Sequence, residues 1–205
     1  ERNIKDTMFD GYLFLPSTGA FPSGGHPFKN SKKSDWDYVL ESVFKKDLNL
    51  DALNKAVTEV KTALNMPDYK VKVYYTLLYP SMSATDFGDV DGDGVSEDFS
   101  KLEDRLKAEE WYMNEFLSRF EAADYENLTF SGFYWFHETI NSDEDDLNTL
   151  SGVSDIVHEK NTQFFWIPYY SAKGYNQWTS YGFDAVCLQP NYVFSEDAIY
   201  SRISD

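Results

Sequence analysis

The sequence predicts an α/β fold, and within that class a (β/α) barrel of the TIM type that is incomplete in this chain. Three observations lead there. Strand-like and helix-like segments alternate along the chain, the strands are nearly continuous apolar runs, and polar or aromatic groups gather where the strands finish. Apolar strands separated by helices read as a parallel sheet covered by helices. About five strands are visible at a spacing near 40 residues, whereas a closed eight-stranded barrel needs about 250 residues. The 205 residues suit one domain, and no low-complexity linker divides it. Length and spacing leave two forms for a single domain over 1–205, an open α/β sheet or a barrel missing some of its units.

The elements follow in order. Asp10 to Pro16 reads as a buried strand ending at proline, and a Gly/Pro/Ser-rich loop runs from Ser17 to Ser34. Trp36 to Phe44 has helical spacing. Leu50, Leu53, Val57, Val60 and Leu64 then share one helical face. Val71 to Pro80 is the next strand. Leu102, Leu106, Met113, Phe116, Leu117 and Phe120 mark an amphipathic helix, with Ser100 and Glu103 at the spacing of a capping box. Leu128 to Phe136 is strand-like, and Leu147, Leu150, Val153 and Val157 are helical. Phe164 to Tyr170 is a strand, a short helix surrounds Trp178, and Phe183 to Pro190 is a last strand. Ser195 to Asp205 reads as the start of another helix. Cys187 is the single cysteine; within the apolar run Ala185–Leu188 it is expected to be a small buried hydrophobe.

Charge narrows the function classes. Lys and Arg total 18 against 35 Asp and Glu, a formal charge of −17. Such a field repels phosphate backbones and anionic lipid, so nucleic-acid partners are not expected. No apolar run reaches the ~20 residues of a membrane span, and membrane insertion is not expected either. The opening Glu1-Arg2-Asn3 is not an initiator, so a processed or excised chain is expected.

Three segments carry chemistry. In Gly132-Phe133-Tyr134-Trp135-Phe136-His137-Glu138, period-two alternation puts Gly132, Tyr134, Phe136 and Glu138 on one side. A carboxyl at the strand exit beside Tyr134 and Trp135 loses part of its solvent, which favours a proton donor. Glu138 is the catalytic candidate; the bland alternative is a surface carboxylate or one paired with Arg or Lys. His137 points the other way and reads as a hydrogen-bonded packing residue. His158 on a helix and His26 in a loop have no partner visible in sequence.

The second segment is Asp89-Val90-Asp91-Gly92-Asp93-Gly94-Val95-Ser96-Glu97-Asp98. Asp at positions one, three and five and Gly at six match the first half of a calcium loop. Asp89, Asp91 and Asp93, the Val95 carbonyl and Glu97 (or Asp98) form the candidate shell. Position twelve departs from the pattern, being Ser100 rather than a bidentate Glu; the alternative is a solvated Asp/Gly turn. No Gly-rich phosphate fingerprint follows any strand, so no organic cofactor is expected. Third, aromatic residues cluster near strand ends (Tyr79 and Trp178 among them), with Trp135, Trp166, Tyr169, Tyr170 and Tyr192 as candidate platforms for sugar rings. Gln189 and Asn191 offer amides to hydroxyls.

These segments, with Phe9-Asp10-Gly11-Tyr12-Leu13-Phe14-Leu15, Phe165-Trp166-Ile167-Pro168-Tyr169-Tyr170 and Leu188-Gln189-Pro190-Asn191-Tyr192, resemble the domain of unknown function 4855 family. That family is a set of bacterial proteins regarded as glycoside-hydrolase-like barrels. The resemblance implies a barrel of which this chain lacks strands at both the N- and C-terminal ends, so that Glu138 ends the fourth barrel strand, where the largest barrel glycosidase clan holds its acid/base. The partner carboxylate would lie outside this chain. The expected function is cleavage of glycosidic bonds in a poly- or oligosaccharide, in an extracellular, cell-surface or periplasmic setting. Two rivals stand beside it: a non-catalytic carbohydrate-binding barrel, and a calcium-stabilised structural or interaction module of a secreted protein.

Overall fold

A computed structural model describes residues 5–16, 21–141 and 143–191. The strand expected at Asp10–Pro16 is β1, Gly11–Phe14, but it is exposed to half-buried rather than buried, since among the described residues it is an edge strand paired only with β2; α1 spans Lys33–Val43 and α2 Asn49–Ala63. β2 is Val71–Leu77, α3 Leu102–Ala123, β3 Leu128–Trp135, α4 Glu144–Glu159 and β4 Gln163–Trp166. A 3-10 helix over Tyr175–Tyr181 leads to β5, Ala185–Val186. The final expected helix, Ser195–Asp205, lies outside the described residues.

Among the described residues, five strands are parallel and lie in sequence order, β1-β2-β3-β4-β5, in one sheet curled as a half-barrel. Sequential parallel neighbours need a crossover between them, and the helices supply it. β4 and β5 are shorter than the apolar runs implied. Pro168 has no N–H to give a ladder, and pairing resumes beyond it as one bridge between Tyr169 and Gln189.

Side-chain parity divides the sheet. In β2, Val71, Val73, Tyr75 and Leu77 face the helices and are buried. In β3 the register slips: Val73 pairs with Phe130 but Tyr74 with Gly132, so Ser131 is an extra residue. The bulge turns both Phe130 and Phe133 toward Phe116 of α3, with ring centroids 5.0 and 6.0 Å away. Tyr74, Tyr134 and Phe165 face the opposite, concave side, where Phe165 lies 5.8 Å from Tyr74 and 5.9 Å from Tyr134. Gly132 lies between them, and a Cβ there would collide with the Gln163 carbonyl of β4. Only glycine lets the two strands approach this closely.

The core fills the helix side of the sheet. Trp36 of α1 meets Phe87 and Tyr112 edge-on at 4.9 and 5.1 Å, and Tyr75 stacks on Phe116 at 4.1 Å. Burying each such ring contributes roughly 1.5–3 kcal/mol. The Tyr75 and Tyr112 hydroxyls share a 2.6 Å hydrogen bond, and burial raises both phenols, keeping them neutral. Arg105 is buried but satisfied. It donates to Thr149 Oγ1 at 2.8 Å and to the Phe99 carbonyl at 2.6 Å, tying α3 to α4. Among the described residues, no helix is long and apolar enough to cross a membrane.

Two further sequence expectations differ from the structure. Ser100 and Glu103 do not form a capping box: the α3 N-cap is Lys101, with no side-chain cap bond. Instead the Asp104 carboxylate accepts the Asp98 N–H at 3.0 Å, and Asp98 accepts that of Ser100 at 2.9 Å. The helix starts later than Ser100, so that hydroxyl is out of register. Cys187 is exposed, because β5 ends at Val186 and nothing among the described residues covers its outer side.

Glu109 is the anomaly of the core. It is fully buried on α3, and neither carboxylate oxygen has a hydrogen-bond partner. Burial raises its pKa well above the ordinary carboxyl range. The folded state then holds a proton that the unfolded chain releases, so stability is full below the unfolded pKa. It falls as pH climbs toward the folded pKa. Glu109→Met should add about 1–3 kcal/mol at neutral pH and flatten that decline. Urea unfolding at several pH values measures this; a variant less stable than the parent at pH 7 would refute it.

Candidate functional site

The parallel register brings every strand exit to one rim. Tyr79 lies two residues past β2, and His137 and Glu138 lie two and three residues past Trp135 of β3. The loop after β4 returns to them: Trp166 Nε1–H donates to the His137 carbonyl at 2.9 Å, and Tyr169 N–H to the Glu138 carbonyl at 3.3 Å. The His137–Glu138 backbone is thus fixed while both side chains remain half-buried. Among the described residues, no side chain bonds or pairs with the Glu138 carboxylate. The rival reading of an Arg- or Lys-paired carboxylate does not apply to them.

Beside this dipeptide lies a polar pair: the sequence places Tyr79 at a strand end, but sequence reasoning missed its partner, Asp146. The Tyr79 hydroxyl donates to Asp146 Oδ1 at 2.7 Å, and Asp146 Oδ2 accepts the Asn141 N–H at 2.9 Å. Asp143 caps α4 by accepting the Asp146 N–H at 2.9 Å, which sets Asp146 in the first turn. Burial, then the Asp146 carboxylate, raise the Tyr79 phenol, so it stays a neutral donor. The His137 ring lies 4.3 Å from that of Tyr79 and 5.6 Å from Phe28. Phe28, from the loop after β1, also stacks on Phe136 at 4.9 Å. Three carboxylates in the first turn of α4 (Glu144, Asp145 and Asp146) were the available signal; their sequence does not say which one turns inward.

His137 packs as expected, but it is not hydrogen-bonded as expected: Nδ1 is enclosed without a partner. Burial lowers its pKa, against smaller opposing effects of Asp146 and Glu138. His158 does gain a partner, Asp184, at 3.0 Å, and the His26 Nδ1 accepts the Phe28 N–H at 3.2 Å.

The expected aromatic platforms separate. Trp135 and Trp166 are 2% and 0% exposed and belong to the helix-side core, where Trp166 stacks on Phe183 at 5.1 Å. Their parity, shared with Phe133 and Phe164, turns them away from the concave face, so neither ring offers a face to a ligand. Tyr169 is half-buried at the rim and Tyr170 exposed. Gln189 donates its amide to the Ile167 carbonyl at 3.1 Å, bracing the loop, and Asn191 has a positive φ of 48°. Tyr192 lies outside the described residues.

The acidic loop folds partly as the motif implies. Oxygens of Asp89, Asp91 and Asp93 lie within 4.8 Å of one another. Asp89 accepts the N–H groups of Gly92 and Gly94 at 2.6 and 2.9 Å, and Asp93 that of Val95 at 2.7 Å. Gly92 and Gly94 have φ of 81° and 86°, the left-handed turns that favour glycine. Glu97 stands outside the cluster. It is buried, accepts the Val90 N–H at 3.0 Å and faces Lys107 Nζ at 3.3 Å. Lys107 also pairs with Asp91 at 2.9 Å, which lowers the Asp91 pKa. Val95 is exposed at the loop tip.

Fold and rim together define a parallel α/β half-barrel protein whose polar groups meet at the carboxyl ends of its strands. The chain belongs to the family described as domain of unknown function (DUF4855), whose model matches residues 1–205. No curated protein and no solved structure matches it.

The Tyr79–Asp146 bond makes a stability prediction. Tyr79→Phe removes a donor from a buried carboxylate, leaving Asp146 with its backbone partner, and should cost about 1–2 kcal/mol. Thermal and urea unfolding test it; an unchanged midpoint would mean that the bond contributes nothing.

Proposed function

We propose that this chain is the catalytic-face portion of a TIM-type (β/α) barrel that hydrolyses glycosidic bonds, with Glu138 as general acid/base. One observation carries the reading: a half-buried carboxylate stands at the carboxyl rim of a parallel sheet, with no cation or donor bound to it among the described residues. In parallel α/β proteins that rim is where chemistry is done. An acid/base must exchange a proton with the leaving oxygen, and a carboxylate locked in an ion pair could not do so readily. Tyr169 and Tyr170, with Gln189 and Asn191, are the groups suited to a carbohydrate ligand; Tyr192, also expected there, lies outside the described residues. An acidic protein acting on extracellular or cell-surface glycans fits this reading.

The chemistry needs a second carboxylate, about 5–5.5 Å away for retention or 6.5–9.5 Å for inversion. Glu138→Gln keeps shape but removes the acid. In the protein produced at its full encoded length, that change should abolish most turnover of an unactivated glycan, by at least about a hundredfold, with glycan binding retained. Wild-type hydrolysis by the variant would sink the assignment. A non-catalytic carbohydrate-binding barrel is favoured instead if wild type binds glycans and never cleaves them.

Calcium is the second proposal, supported by convergence of Asp89, Asp91 and Asp93. Three carboxylates so close repel one another, and a hard divalent cation would relieve this at oxygen distances of about 2.3–2.6 Å. Val95 and Glu97 would have to turn inward to complete the shell, with Glu97 leaving Lys107. Calcium at millimolar concentration should raise the melting temperature by several degrees and chelation reverse it. A melting temperature indifferent to calcium would leave Lys107 as the counter-charge of the loop.

A further inference from the structure

We propose that His137 is a ligand-binding residue of the rim, a neutral imidazole presenting Nε2–H to a hydroxyl of an uncharged, polyhydroxylated ligand beside Glu138. The choice of ligand class rests on the glycan reading of the rim; the protonation state does not.

Nδ1 of His137 is buried and has no hydrogen-bond partner. A bare lone pair in an aromatic pocket is cheaper than an unsatisfied N–H, because orphaned buried donors are rarer than under-used acceptors. Of the two neutral tautomers, the one with hydrogen on Nε2 therefore fits. An imidazolium would place a charged N–H on Nδ1 with no acceptor, against the Tyr79 and Phe28 rings. Tyr79 cannot relieve Nδ1, since its hydroxyl proton is given to Asp146. The charged groups that act on the ring are Asp146 and Glu138, and both favour the cation; burial outweighs them. His26, across Phe28, adds no bond to His137: its Nδ1 faces the Phe28 N–H.

The other edge is free for recognition. Nε2 is not among the enclosed, unpartnered atoms and has no protein partner among the described residues, so it keeps solvent access. Packing against Tyr79 and the Trp166 bond to the His137 carbonyl hold the ring in place. A fixed, uncharged donor next to an acidic acceptor suits hydroxyl groups, which both accept and donate. It gives no charge to attract a phosphate or carboxylate ligand.

Nitrogen-15 NMR of the imidazole tests the state directly. The expected result near pH 7 is the neutral tautomer with hydrogen on Nε2. The Nδ1–H tautomer, or an imidazolium at that pH, would overturn the proposal. Calorimetry with β-1,4-linked hexasaccharides of glucose, xylose and N-acetylglucosamine tests the ligand role. His137→Phe keeps the ring packed on Tyr79 and loses the donor; His137→Gln keeps an N–H near the Nε2 position and loses the ring. With a hexasaccharide that wild type binds, Phe should weaken binding about tenfold and Gln less than about threefold. Melting temperatures of both variants separate binding loss from unfolding. The reverse order, with Phe at wild-type affinity and Gln weakened, would show a packing residue and overturn the ligand role. If wild type binds none of the three, the glycan reading fails, while the tautomer measurement still decides the donor.

Discussion

The seven-residue parallel pairing of β2 with β3 is the constraint from which the remaining geometry follows, since these two strands hold the middle of the described sheet. Its register carries one irregularity, at Ser131, and that single extra residue decides which aromatic rings meet α3. Without it, Phe130 and Phe133 would face opposite sides, three positions apart in a period of two. With it, both rings close on Phe116, and Gly132 falls where β4 must approach. The same register carries the chain onward so that Trp135 ends in the core and His137–Glu138 emerge at the rim.

The buried polar groups fall into two kinds. Arg105, Asp35 and Asp146 are satisfied and hold elements together: Asp35 takes the Ser23 N–H and hydroxyl and the Lys32 N–H at 2.9, 2.6 and 2.8 Å. These bonds fix the loop after β1 against α1, and the loop in turn delivers Phe28 to the rim. Glu109 and the Nδ1 of His137 are unsatisfied. Such exceptions in a packed interior call for a specific explanation. For Glu109 burial favours the protonated carboxyl; for His137 the position beside Glu138 ties the imbalance to the rim.

Aromatic residues were the most misleading guide to the site. They make up 18% of the chain, and most of the large rings that end strands are needed to fill the space between sheet and helices. Trp135 and Trp166 sit near strand exits, where a ring looks like a platform. Parity alone turns them inward, one residue from positions that face the concave side. The polar groups that do reach the rim come from loops and from the first turn of α4, where sequence carries no record of direction.

The amino-acid sequence by itself determined the α/β class, the order of the strands and helices, the amphipathic face of α2 and the approach of the three Asp carboxylates. These depend on local periodicity and on the short-range geometry of a Gly-containing turn, both written within a dozen residues. It also placed Glu138 at a strand exit, because strand length and side-chain alternation are local. Tertiary structure decided the rest. The exposure of Cys187 and the union of Tyr79 with Asp146 depend on residues far apart in sequence. So does the partner of Lys107: the side chain that neutralises Asp91 comes from a helix, 16 positions on, and faces it only because α3 packs beside the loop. Contacts of this kind are set by packing, and packing has no local signature in the chain.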